Sequence, residues 1–270
     1  ASLVDTGSAI ALQITGANPV WVGNVSGTWD YATTNWTVPS GPTTFLDGDN
    51  VIFDNTAATQ TVNIAAGGVA PMQVDIVSGN YVFNGGAIKD DPGSPLPASI
   101  RVNEGASLTL NNANAHTGGT LVSDGRLNIS NAGALGSGPL TIAGTGDTVI
   151  DNTSGAPLTL NGGPQIWQAD FTFAGSNDLD MGPGNITLAG DRVVNAEGTL
   201  TVSGNISGGS RLAVIGDGKL VLRGNNTYTG STTVRNDGEL EIAGGVTGTS
   251  GANVYVGSQA GDNATLRISG

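Results

Sequence analysis

Paired carboxylates are the residues whose spacing comes nearest to acid–base chemistry. Three pairs stand close together in the sequence: Asp47 with Asp49, Asp90 with Asp91, and Asp178 with Asp180. Two carboxylates on one face can serve as acid and base on a glycosidic bond. If 177–181 is a strand, alternation puts Asp178 and Asp180 on the same face. An enzyme acting on acidic sugars also needs cations, and Lys and Arg total only nine. We therefore expect solvated acidic surface at all three pairs.

The single histidine limits the other catalytic arrangements. A Ser-His-Asp triad would have to use His116 as its base. Segment 248–252 faintly resembles the nucleophile turn of a serine peptidase, but the aspartate and histidine segments of that signature are missing. His116 also stands where a second copy of a repeated segment has Tyr228, so we expect a structural residue. We predict no catalytic residue and a protein that is not an enzyme.

Metal and cofactor chemistry finds little support in the sequence. The chain has no cysteine, which excludes zinc ribbons and disulfide scaffolds. Acidic turns at 47–50 and 176–180 offer oxygen ligands for calcium, yet neither an EF-hand loop nor glycine-rich nonapeptide repeats are present. We expect no dedicated metal site and no cofactor.

Three of the four tryptophans, Trp21, Trp29 and Trp36, lie close together near the N-terminus. Exposed indole rings could stack on pyranose faces and form a glycan-binding platform. Buried rings could instead cover the open end of a stacked core, which would otherwise expose apolar surface and unpaired strand edges. Their position beside Gly and Asn turns favours the end cap, and glycan binding remains the alternative.

Composition and charge restrict the fold class and the partners. Glycine accounts for 44 of 270 residues and charged residues for 11%, which favours turns and strands over helix. The net charge is −13, and Lys and Arg form no cluster in the sequence. Nucleic acid is therefore not expected as a partner, because binding it requires a basic patch. No run of residues is apolar enough for a membrane helix.

A short unit repeats along most of the chain: a turn residue, often Gly, followed by leucine-x-aliphatic. Examples are segments 105–110, 125–129, 198–202, 218–222 and 238–242. The alternation buries one face of each strand and exposes the other. Intervals of 14 to 20 residues between units are too long for simple hairpins and suit a coil that returns to stack on itself. The pattern predicts an all-β fold, a right-handed parallel β-helix (solenoid) with an N-terminal β cap region.

A longer duplication carries a resemblance to a known family. Residues 114–129 align with 226–242, with one residue inserted before Asp237. The second copy reads Asn-Thr-Tyr-Thr-Gly-x-Thr-x-Val followed by Asp-Gly-x-Leu, which resembles the passenger-associated transport repeat of bacterial autotransporters. The strong match covers about 197–244, and a degraded copy covers 105–144. We divide the chain into a Trp-containing cap with the first coils, 1–97, and β-helix repeats, 98–270, truncated at the C-terminus.

This resemblance implies an extracellular passenger fragment of a Gram-negative autotransporter. It implies an adhesin, self-associating or stalk region whose coils assist their own secretion by stacking. The implied partners are a host or neighbouring-cell surface protein or glycan, another copy of the chain, and a C-terminal outer-membrane β-barrel of the same polypeptide that this fragment lacks. A β-helix enzyme acting on polysaccharides, a glycan-binding module and a purely structural spacer remain alternatives.

Overall fold

The computed structural model describes residues 2–5, 10–13, 18–243, 253–257 and 261–269. These residues form a parallel β-solenoid of about nine turns, so the predicted fold class is confirmed. No helix in this part of the chain has the length and apolar character needed to span a lipid bilayer. The predicted hand of the coil follows from the crossover rule alone.

All regular structure in the described residues is short β-strand. The first ten strands are β1 (Ser2–Asp5), β2 (Ile10–Gln13), β3 (Val20–Trp21), β4 (Thr28–Trp29), β5 (Trp36–Val38), β6 (Gly41–Thr43), β7 (Asn50–Phe53), β8 (Thr61–Ile64), β9 (Gln73–Ile76) and β10 (Asn80–Gly85). The next ten are β11 (Ser99–Val102), β12 (Ser107–Leu110), β13 (Thr120–Ser123), β14 (Arg126–Ile129), β15 (Leu140–Ala143), β16 (Thr148–Asn152), β17 (Leu158–Thr159), β18 (Gln165–Trp167), β19 (Phe171–Phe173) and β20 (Leu179–Asp180). The last ten are β21 (Ile186–Leu188), β22 (Arg192–Ala196), β23 (Thr199–Val202), β24 (Ile206–Ser207), β25 (Leu212–Ile215), β26 (Lys219–Leu222), β27 (Thr232–Val234), β28 (Glu239–Ala243), β29 (Val254–Val256) and β30 (Thr265–Ser269).

Three sheets run along the solenoid. Sheet 1 has the order β4-β8-β10-β12-β14-β16-β19-β22-β25-β27-β29, and sheet 2 has the order β6-β5-β3-β7-β9-β11-β13-β15-β18-β21-β24. Sheet 3 begins only at β17 and continues through β20, β23, β26, β28 and β30. Early coils therefore consist of two strands, whereas coils after β16 gain a third. The parallel pairing of β9 with β11 carries the solenoid across residues 97 and 98, and the division of the chain there stays a prediction.

Identical inward positions of successive coils lie directly over one another. In sheet 3, Leu200 pairs with Leu220 and Leu220 pairs with Leu240, and all three leucines are fully buried. The register therefore repeats every 20 residues here. The shorter sequence interval of 14 residues has a different origin, because Ile186 belongs to sheet 2 and pairs with Ile206 rather than with Leu200.

Glycine is required at the corner that leads into sheet 2. A Cβ added to Gly204 would lie 1.9 Å from the carbonyl oxygen of Gly184, and one added to Gly224 would lie 2.1 Å from that of Gly204. Such distances are far inside van der Waals contact, so the coils can stack at this corner only without side chains. The backbone N–H of Asn225 then donates to Asn205 Oδ1 at 2.7 Å. The Gly-Asn step thus joins one coil to the next.

The N-terminal end of the solenoid is closed by a change of strand direction. β3 pairs in parallel with β7 but antiparallel with β5, and β5 pairs antiparallel with β6. The parallel stack therefore ends in a short antiparallel meander, which covers its first coil. The predicted N-terminal β cap is confirmed.

The leucine stack yields a stability prediction. Leu220→Ala removes a fully buried side chain and should cost about 2–5 kcal/mol, because neighbouring coils cannot collapse into the space. Leu121→Ala is a matched control at an outward, half-buried position of β13 and should cost about 1 kcal/mol or less. Urea unfolding followed by circular dichroism measures both changes. Equal shifts of the two midpoints would contradict the shared leucine core.

Candidate functional site

The first predicted carboxylate pair holds the loops of the cap. Asp47 Oδ1 accepts hydrogen bonds from the Tyr31 hydroxyl at 2.7 Å and from the backbone N–H of Ala70 at 3.2 Å. Asp49 Oδ2 accepts from the backbone N–H of Leu46 at 2.9 Å. Burial raises the pKa of Asp49 above its ordinary value. These carboxylates join loops within the cap.

The second pair also fastens a loop. Asp90 accepts hydrogen bonds from the Ala98 amide, the Thr117 amide and the Thr117 hydroxyl. Burial acts to raise the pKa of Asp90, but the hydrogen bonds from Thr117 and Ala98 outweigh it and lower that pKa. Asp91 Oδ1 accepts from the amide of Gly93 at 2.8 Å. Among the described residues, no group of three or more His, Asp and Glu side chains is placed to hold a metal ion.

His116 is a core residue with the same local contact as its repeat counterpart. Its ring is fully buried, and Nε2 lies 3.1 Å from Thr120 Oγ1. Tyr228 hydrogen-bonds through its hydroxyl to Thr232 Oγ1, four residues further along in both copies. Burial lowers the pKa of His116 to about 4, although the charge of Asp90 opposes the shift. The segment 248–252 lies outside the described residues.

The three tryptophans form the centre of an aromatic cluster in the cap. Trp21, Trp29 and Trp36 have no exposed surface. The Trp29 ring lies 5.3 Å from those of Trp36 and Phe45, nearly perpendicular to the latter, and 5.4 Å from that of Phe53. Stacking on a sugar would require these rings to leave the core, whereas closing the end of the solenoid requires them where they lie.

The interior leaves no room for a ligand. A cavity beside Gly136, Leu160 and Met181 holds only about 10 Å³, which is about the space of one water molecule. Recognition by this segment must therefore use the outer faces of the sheets.

The largest open groove that we find follows the outer face of sheet 3. It has a volume of about 460 Å³ and crosses several coils. We call it the sheet 3 groove; its lining includes Thr159, Asp180, Thr201, Lys219, Val221 and Glu241. Four of these residues stand in one register column, in which Asp180 pairs with Thr201 and Thr201 with Val221. Thr201 and Val221 are buried although they point outward, so the groove has walls.

The third carboxylate pair, Asp178 and Asp180, lies in the sheet 3 groove, as the predicted shared face requires. The fold also brings Lys219 and Arg223 there, cations that sequence distance separates from the pair. Lys219 Nζ contacts Glu241 Oε2 at 3.1 Å, and Asp180 Oδ2 accepts from the Ser203 hydroxyl at 2.7 Å. The charged groups are thus engaged with protein partners, as in a polar binding surface.

A second groove, on the outer face of sheet 1, collects cations that sequence reasoning treated as isolated. Arg192, Arg211 and Arg235 line a depression of about 270 Å³ together with Asp170 and Asp191. These arginines come from successive coils, about 20 residues apart. The signal in the sequence is this spacing, which matches the register period, and it can be interpreted only once the register is known.

Comparison with known proteins agrees with this architecture. The passenger-associated-transport-repeat family matches residues 104–129 and 212–242. The adhesin BmaC autotransporter of Brucella suis biovar 1 (strain 1330) is 26% identical over 237 residues, which cover 78% of this chain and 6% of the relative. The chain thus spans a small part of that relative's length. No solved structure gives a significant match.

A surface-exported β-solenoid built of such repeats defines the class. The resemblance found in the sequence is confirmed: the repeat match and the relative support an autotransporter passenger domain with passenger-associated transport repeats. They also support export to the cell surface of a Gram-negative bacterium.

The cap cluster can be tested by truncating its central ring. Trp29→Ala should destabilise the chain by about 3–5 kcal/mol, because a fully buried indole is removed. Leu46→Ala, in the same cap but 63% exposed, should cost about 0.5 kcal/mol or less. Urea unfolding measures both, and a glycan array measures binding. Unchanged stability with lost glycan binding in Trp29→Ala would favour the platform instead.

His116 is the only histidine, so NMR titration of its single imidazole signal should report a pKa near 4. Between pH 6.5 and 4 the unfolded chain binds this proton and the folded chain does not. The free energy of unfolding should therefore fall by about 3 kcal/mol as the pH decreases through that window, and the contribution is intact above pH 6.5.

The variant His116→Tyr copies the other repeat and should lack this part of the pH dependence. The difference between the two proteins cancels the effects of Asp and Glu. A folded-state titration near pH 6.5 would show that the imidazole is solvated.

Proposed function

We propose that this segment is an adhesive part of an autotransporter passenger and binds surface targets of host or neighbouring cells along its flank. The observation that carries the proposal is the sheet 3 groove, a walled polar depression that crosses several coils. Its filled interior leaves the outer faces as the only place for recognition, and the relative's name describes an adhesin. A non-enzymatic role is consistent with that relative.

The groove suits an extended ligand better than a compact one. Register partners in adjacent strands are about 4.8 Å apart, so threonine, carboxylate and amine groups recur at short, regular steps along the axis. Each contact with such groups is weak, and affinity then comes from many contacts made at once. Repetition of the solenoid in a longer passenger would extend the same surface.

A second role, assistance of secretion, is favoured by the parallel ladders. Every strand from β7 to β28 pairs in register with a strand of a neighbouring coil, apart from those at the ends of a sheet. A coil that folds outside the cell therefore presents edges and an apolar face on which the next coil can fold. Such stepwise stacking would favour outward movement of an unfolded chain. The outer-membrane barrel of the same polypeptide would supply the exit.

The test is attachment of cells that display this chain to surfaces coated with glycans or host proteins. Displaying cells should attach or aggregate, whereas the parent strain without the chain should not. Thr159→Arg places a long side chain in the sheet 3 groove and should reduce attachment at least about fivefold, because it blocks contacts that act together.

Thr187→Arg is the matched control, since it adds the same side chain at an exposed position of β21 in sheet 2. It should leave attachment unchanged. Surface display of both variants is measured with an antibody tag. Equal attachment by Thr159→Arg, Thr187→Arg and the unmodified chain would exclude the sheet 3 groove, and no attachment by any would exclude adhesion.

A further inference from the structure

We infer that the outer face of sheet 1 carries a site for an acidic glycan, a polysaccharide that bears sulfate or carboxylate groups. The inference rests on the proposed adhesive function and assigns it a ligand class. The site, called the arginine groove, is formed by Arg192, Arg211, Arg235, Thr233 and Tyr255. The first four line the depression on sheet 1, and Tyr255 stands next to it in the register.

The first argument is charge. Three of the nine Lys and Arg residues lie in one small depression of a chain whose net charge is −13. Two carboxylates, Asp170 and Asp191, also line it, but each is directed at the backbone. Asp170 Oδ1 accepts from the Val193 amide and Asp191 Oδ1 from the Arg211 amide, both at 2.8 Å. Positive charge therefore exceeds negative charge locally.

The second argument is that the guanidinium groups are poorly satisfied. Arg192 donates to the carbonyl of Gln168 at 2.6 Å and lies 3.6 Å from Asp170, but its Nε finds no acceptor. Within the described ranges, the buried Nε of Arg235 also has none, and neither Arg211 nor Arg235 forms a side-chain ion pair. Buried donors without acceptors are costly. An oxyanion is the ligand that planar guanidinium groups satisfy best.

The third argument separates a glycan from other polyanions. Val193, Ala213, Thr233 and Tyr255 form one register column on sheet 1. The Tyr255 ring is 50% exposed, so it offers a face on which a pyranose can stack. Small side chains at 213 and 233 leave room for a flat sugar beside it. Nucleic acid does not fit, because the depression is small and the remaining surface is acidic.

The experiment uses the 270-residue chain with dextran sulfate and with uncharged dextran, two polymers that share a backbone. Calorimetric titration should show binding of dextran sulfate that weakens with salt, and no binding of dextran. Arg211→Gln and Arg235→Gln should each weaken binding about tenfold, because each removes charge-assisted hydrogen bonds. Tyr255→Ala should weaken it by about fivefold through lost stacking.

Arg101→Gln is the matched control, since it removes the same charge from the outer face of sheet 2. It should change the affinity by less than about twofold. Circular dichroism confirms that each variant is folded. Equal weakening by Arg101→Gln would assign the binding to overall charge and overturn the site. Tighter binding of polyglutamate than of dextran sulfate would make the ligand an acidic peptide and overturn the glycan class, as would no binding of either.

Failure of this inference is distinguishable from failure of the proposed function. If displaying cells attach while the purified chain ignores dextran sulfate, adhesion stands and the acidic-glycan site is lost. If dextran sulfate binds with the expected arginine dependence but the cells do not attach, the site stands and adhesion is lost.

Discussion

Register between successive coils is the constraint on which the rest of the structure depends. A single coil of two or three short strands cannot bury its own apolar face, so the face must be shared with the coils above and below. The stack of Leu200, Leu220 and Leu240 shows the result, because each side chain fills the space over its predecessor. The same need explains the corner glycines, since any side chain at Gly204 would push two coils apart. The cap meets the complementary need at the end of the stack, where three indole rings replace the missing coil.

Filling the interior moves recognition to the outside. The polar atoms inside, such as those of His116, are committed to neighbours within the fold or are simply desolvated, and they have no access to a substrate. The outer faces have the opposite character: their residues alternate with the core and recur once per coil. A side chain there is about 4.8 Å from its counterpart one coil away, although some 20 residues of chain separate them. Surfaces with repeated chemistry therefore arise along each sheet, and grooves form where neighbouring corners rise above the sheet.

Several parts of the candidate sites could be predicted from sequence, and others could not. The shared face of Asp178 and Asp180 followed from strand alternation, and the structural role of His116 followed from its match to Tyr228. The cations of the sheet 3 groove and the arginine groove could not be found in this way. Lys and Arg are scattered along the sequence, and grouping them requires the length of every coil, including irregular corners whose lengths vary. An error of one residue in a corner would send a side chain to the opposite face.

The sequence by itself determined the strands, the approximate coil length and the kinship with transport repeats, because alternation and glycine turns are local properties of the chain. Tertiary structure alone decided which sheet each repeat occupies. Leu127 and Leu240 stand at the same place in the two repeat copies, yet Leu127 lies in sheet 1 and Leu240 in sheet 3. The cause is the third strand that enters each coil after β16, which turns the later repeat by one face of the solenoid. Local pattern cannot reveal that rotation, because it depends on how all preceding coils close upon one another.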